Sequence, residues 1–259
     1  MRIDLQDFSL PIIFLASLIL ILVASEIGHW FGVRASGRGG ANDSTLEAAI
    51  LGLLALMISF TFAMGLTRFE ARRDAVLSEA NAIGTAVLRA RMLPEPQARA
   101  SIQLMSEYVE NRLSLNTIRP SIKDLDAVIH RSAEIQEALW QHAAEVASTD
   151  REMVPTGLYI QALNDMIDNQ GKRLSALRNR VPNIVLLALY GIAAIANAFA
   201  GYGSALEARR SRLPAYVMAV LVSAVILLIQ DLDRPGAGFI RVSQQPIVDV
   251  AATIAKLAH

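Results

Sequence analysis

The sequence predicts an all-α membrane protein: four spanning helices and one helical domain in water. Three observations point there. The 259 residues are 53% hydrophobic, with a mean hydropathy of +0.39, above the level of an ordinary soluble domain. Four stretches are long and free of charge, Phe8 to Ser25, Ala48 to Thr67, Val181 to Leu206 and Leu213 to Gln230. Between the second and third, charge returns over residues 68–180 and apolar residues recur at helical spacing, with no strand-like alternation.

Each uncharged stretch is long enough to cross a hydrocarbon core, which takes about 17–25 helical residues, and only a helix or a closed barrel satisfies its backbone there. The first run is read as a retained span and not a cleaved leader, because "MRIDLQD" is acidic in its side chains and "LVAS" is a poor cleavage pattern. The second span meets Arg68 with no Gly-Pro break, so a single helix is expected to carry apolar and charged halves end to end. In the charged block Val76, Ala80, Ile83 and Val87, then Ile102, Met105, Val109 and Leu113, mark buried helix faces. Breaks are expected at "LPEPQ" (Pro94, Pro96), at "IRPS" (Pro120) and at "STDREMVPTG" (Pro155, Gly157). The domains are therefore 1–67 (two spans and an external loop), 68–180 (cytosolic helical domain), 181–230 (two spans) and 231–259 (a cytosolic C-terminal segment).

Basic residues near span ends set the orientation. Arg68, Arg72, Arg73, Lys172, Arg173, Arg178 and Arg180, with Arg2, Arg234 and Arg241, lie on one side; Arg34, Arg38, Arg209, Arg210 and Arg212 lie on the other. The ten-to-five bias places both termini and the helical domain in the cytoplasm, with "EARRSR" pulling the other way. The 24 basic residues equal the 24 acidic ones, which argues against a nucleic-acid partner. The chain has no cysteine, hence no disulfide, thiolate nucleophile or Cys-bound metal, a count compatible with a bacterial inner membrane. No phosphate-cradling glycine loop or Ser-His-Asp set appears, so no enzyme, cofactor or metal is expected; "GRGGAND" reads as a connector.

In the second span Leu51, Ala55, Ile58, Phe62 and Leu66 share one helix face. Two roles fit it: packing against neighbouring spans, or an apolar neck that gates by dewetting around an axis shared by several copies. Glu79 and Asn81, in "LSEANAIG", either face a vestibule or bond to the helices after Pro94, and Gly84 suggests a close backbone neighbour. Asp231 and Asp233 form an acidic turn too sparse for the six to eight oxygens calcium takes. Asn197, in a small-residue stripe, is expected to find a partner across a helix contact. Glu26 and His29 make only two of a metal's ligands, beside Trp30 at the lipid boundary.

"ISFTFAMGL" (58–66) resembles the pore segment of bestrophins, and "RFEARRDAVLSEANAIGTA" and "QDLDRPGAGFIRVSQQP" resemble the bacterial bestrophin-like family. The order of parts agrees. The resemblance implies a homo-oligomeric ion channel, a pentamer, in the lipid bilayer of the inner membrane. It assigns the neck to Ile58 and Phe62, with Leu66 standing where animal members carry an aromatic. It further implies that the second helix continues into the vestibule wall. The positive ring edge of Phe62 favours a permeant anion. The competing class is a non-conducting membrane scaffold or signalling protein whose cytosolic helices bind another protein.

Overall fold

The computed structural model describes residues 8–36, 44–114, 122–149, 154–206, 211–236 and 238–257. The connector at 37–43, Pro120, Arg2, Arg209, Arg210 and most of the stretch before Val154 lie outside them. The described residues form eight helices and no strand: α1 (Leu10–Ser36), α2 (Ser44–Ala90), α3 (Gln97–Ser114), α4 (Ile122–Thr149), α5 (Val154–Arg178), α6 (Asn183–Leu206), α7 (Leu213–Asp233) and α8 (Gln245–Leu257). The chain divides into a unit of Met1–Phe69 with Arg180–Ile240, and a unit of Glu70–Asn179 with Arg241–His259. Helix α2 contributes to both.

The first unit contains the spans. By length and composition, four helical stretches, those of α1, α2, α6 and α7, can cross a membrane. Large apolar side chains such as Leu15, Ile19, Val23 and Ile27 point outward from α1, while its buried stripe runs Ile13, Ser17, Ile21, Ser25, Gly28 and Gly32. That inversion is what lipid favours, because large side chains gain nothing from leaving it and small ones let backbones meet. A Cβ built on Gly28 would lie 1.8 Å from the Ala198 carbonyl oxygen, and one on Gly201 would lie 2.0 Å from that of Ser25. Helices α1 and α6 thus touch backbone to backbone. A polar thread joins three spans: the Tyr190 hydroxyl lies 3.0 Å from Ser17 Oγ and accepts from Gln230 Nε2 at 2.9 Å. Asn197 does not find the expected partner across the contact; its amide donates to Ala193 O in its own helix at 3.0 Å.

The second unit is built on the periodicity of the charged block. Val76, Ala80, Ile83 and Val87 are buried, as are Met105 and Val109, with Ile102 and Leu113 half-buried against them. The boundary expected in "STDREMVPTG" is present, since α4 ends at Thr149 and α5 begins at Val154, with Pro155 and Gly157 on the α5 side of it. They sit in the first turn of α5, where proline loses no intrahelical hydrogen bond and its fixed φ suits the helix. Helix α8 is an element the sequence reading leaves as an unassigned tail. It carries Ile247, Val250, Ala251 and Ile254 toward the core of this unit, the i, i+3, i+4, i+7 pattern of an amphipathic helix. Gly84 faces the Val250 side chain, 3.9 Å from where its Cβ would stand, and not a neighbouring backbone.

Candidate functional site: the membrane half of α2

From Ala48 to Thr67, α2 carries no charged side chain. Leu54, Thr61 and Gly65 turn inward. Gly65 approaches α7, where a Cβ would sit 3.5 Å from Ile229 O. Ile58 and Phe62 flank this inner face and are half-buried against the core formed by Ile21, Leu54, Leu189 and Ile226. Leu66 is exposed, at 38%. The predicted face therefore lies on the shoulder of the helix: one edge packs within its own bundle and the other is free.

Beside that shoulder the outer arc carries Gly52, Ala55, Ser59, Ala63 and Thr67, all exposed. Nothing lies within 4 Å of a Cβ placed on Gly52. The Ser59 and Thr67 hydroxyls donate to Ala55 O and Ala63 O, each at 2.9 Å, so neither needs water. Of this arc only Ala55 falls on the face that apolar spacing picks out, because that pattern selects mainly large side chains. The arc's signal is the recurrence of small residues at one-turn spacing.

The other residues singled out have definite places. Glu79 does not face open solvent; it is wholly buried in its unit, where it accepts from Tyr108 Oη at 3.1 Å and pairs with Arg112 at 2.9 Å and with Arg173. The helices after Pro94 thus supply its partners, whereas Asn81 is exposed. Asp231 and Asp233 are not beyond the fourth span but in the last turn of α7, and both carboxylates are engaged by backbone. Asp231 accepts from Phe239 N at 2.8 Å and Ile240 N at 3.0 Å, and Asp233 accepts from Val181 N at 3.0 and 3.1 Å. The turn between depends on glycine. Gly236 has φ +74°, and a Cβ on Gly238 would lie 2.0 Å from Asp231 Oδ1.

Glu26 and His29 join a polar cluster at the end of the bundle. Glu26 accepts from Tyr216 Oη and lies 3.5 Å from Arg212; His29 Nε2 is 2.7 Å from Arg212 Nη2 and Nδ1 is 3.1 Å from Ser204 Oγ. Trp30 is capped by the Arg34 guanidinium at 3.6 Å. Among the described residues no three His, Cys, Asp or Glu side chains gather as a metal site would require.

The Bestrophin-like domain model matches residues 19–247. The chain belongs to the bestrophin-like family. Solved structures agree with this fold. A variant of a bacterial bestrophin homologue from Klebsiella pneumoniae superposes with a TM-score of 0.70 at 13% identity over 95% of this chain and 98% of that one. A second variant gives 0.67 at 15% over 95% of each chain. The same homologue solved by zinc phasing gives 0.65 at 13% over 95% and 96%. No curated protein matches the sequence. In this bestrophin-like protein the quoted stretches from Arg68 and from Gln230 both fall within the matched region, as does the whole of α2.

Proposed function

We propose that this bestrophin-like protein is a homo-oligomeric ion channel, a pentamer, whose α2 helices surround a common axis and turn Ile58, Phe62 and Leu66 toward it. The observation that carries the reading is the uncharged shoulder of α2, half-buried at Ile58 and Phe62 and open at Leu66. A single bundle of this size fills its own centre, so conduction calls for several copies. The small residues Gly52, Ala55, Ser59 and Ala63 let neighbouring α2 helices approach closely enough for that shoulder to form a narrow ring. Such an apolar ring blocks ions by dewetting until it widens.

Phe62 ring edges favour an anion. The family's presence in bacteria and the balance of basic residues fit an inner-membrane channel with both termini in the cytoplasm. The subunit count of the detergent-solubilised particle is the first test. A ring of identical chains, five in number, supports the reading, and a monomeric particle removes it.

A further inference from the structure

One buried cluster in the helical unit carries one positive charge more than its described residues balance. Glu79 is the carboxylate of the cluster, and two guanidiniums converge on it, Arg112 at 2.9 Å and Arg173. Tyr108 is neutral: burial, and then the charge of Glu79, push its hydroxyl well above the usual tyrosine range. Gln136, Gln170 and Gln244 extend the network through hydrogen bonds without adding charge. A guanidinium does not release its proton in a protein, so the cluster sums to +1.

The two arginines are treated differently. Arg173 uses Nη1 on Glu79 and Nη2 on Gln244 Oε1 at 2.7 Å. Arg112 has a side chain 0% exposed, its Nε against Glu79, and both terminal nitrogens buried without a hydrogen-bond partner among the described residues. Burial pulls the pKa of Arg173 down, and Arg112 beside it acts in the same direction against Glu79. Leaving a buried charge unpaired is costly, so an arrangement of this kind calls for a counter-charge. Burial inside one chain keeps a neighbouring subunit from supplying it.

We propose that Nη1 and Nη2 of Arg112 hold a small monovalent anion of the halide class inside the helical unit, bringing the Glu79–Arg112–Arg173 cluster to neutrality. A dianion such as sulfate would overshoot the charge and asks for more donors than two nitrogens give. Water would satisfy the donors but leave the charge. The site is separate from α2's membrane half and stands whether or not the protein conducts.

The test uses the full chain in detergent, with sodium bromide titrated against sodium gluconate at constant ionic strength, alongside crystals grown in bromide. The expected results are a saturable rise in Tm with bromide and an anomalous peak at hydrogen-bonding distance from Arg112. In Arg112→Gln, which leaves Glu79 paired to Arg173 and the cluster neutral, the bromide-dependent rise is lost. The proposal is overturned if bromide and gluconate give equal Tm, if the rise persists in Arg112→Gln, if only sulfate stabilises, or if an ordered Arg112 shows water in place of bromide. Should Arg112→Gln fail to fold, the anomalous map of the wild-type protein decides alone.

Discussion

Glu79 and Arg173 form an ion pair with both side chains out of water, 0% and 5% exposed, joining α2 to α5 within one unit. Glu79 also serves Arg112 and Tyr108 of α3. Replacing it by Gln leaves two buried guanidiniums without a carboxylate, and breaking a buried pair in this way costs about 3–5 kcal/mol. Thermal unfolding of Glu79→Gln should show that loss. Asn81→Ala, on the exposed side two residues later, should change stability by no more than about 0.5 kcal/mol.

The α1–α6 contact is set by backbone, and backbone cannot swing aside. Gly28→Ala and Gly201→Ala would place a methyl group 1.8 and 2.0 Å from carbonyl oxygens, forcing the helices apart at a cost of at least about 1–3 kcal/mol, the range for overpacked cores. Gly171→Ala is the control, since nothing lies within 4 Å of its Cβ position. On an exposed helix face it should gain about 0.5–1 kcal/mol from helix propensity. Unfolding temperatures in detergent measure all three.

Asp231 is a structural acceptor in this account. Asp231→Ala removes two part-buried hydrogen bonds to a carboxylate, from the backbone N–H groups of Phe239 and Ile240, and should cost about 1.5–3 kcal/mol, the range for a bond to a charged group. Calcium and a chelator should give the wild-type protein the same unfolding temperature. A calcium-dependent rise that Asp231→Ala abolishes would make this turn a metal site instead.

Alkaline pH should weaken the helical unit. Burial pushes the hydroxyl of Tyr159 up to about 12 from the usual 10.0, with Ser101 opposing. Below pH 10 the residue is neutral in folded and unfolded chains alike, and the stability linked to it is fully present. As pH rises from 10 toward about 12 the unfolded chain releases a proton that the folded one keeps, so stability falls, by at most about 1.4 kcal/mol per pH unit for one group. Tyr159→Phe should show a shallower alkaline decline in a denaturant series.

Much of the fold was legible because lipid and water impose different periodicities. Uncharged runs marked the spans, and Val76, Ala80, Ile83 and Val87 marked the buried face of α2's charged half. Helix α8 was legible too, through Ile247, Val250, Ala251 and Ile254, but a short segment after a glycine-rich turn was read as a tail. The end of α7 was misplaced because acidic residues resemble a loop, whereas Asp231 and Asp233 are held in the last turn by backbone donors far along the chain. Glu79 was visible as polar but its burial was not, since its partners Arg112 and Arg173 lie 33 and 94 positions away. Which edge of α2 lies open depended on how tightly Gly65 seats against Ile229, a fact of packing that spacing does not carry.

The absence of native cysteine makes α2 contacts directly readable. Ala63→Cys would be the only thiol in each chain, and mild oxidation in membranes should yield disulfide-linked dimers. Leu15→Cys, on the exposed face of α1 at 55%, should stay monomeric on denaturing gels.

Unitary currents in a planar bilayer test the channel most directly, comparing the wild-type protein with the Ile58→Ala, Phe62→Ala double variant. Discrete openings are expected of the wild-type protein, and the variant should open more often or conduct more, because a wider, less apolar ring dewets less readily. Silence of the wild-type protein across wide ranges of pH, calcium and voltage, or openings that the double substitution leaves unchanged, would contradict the channel reading.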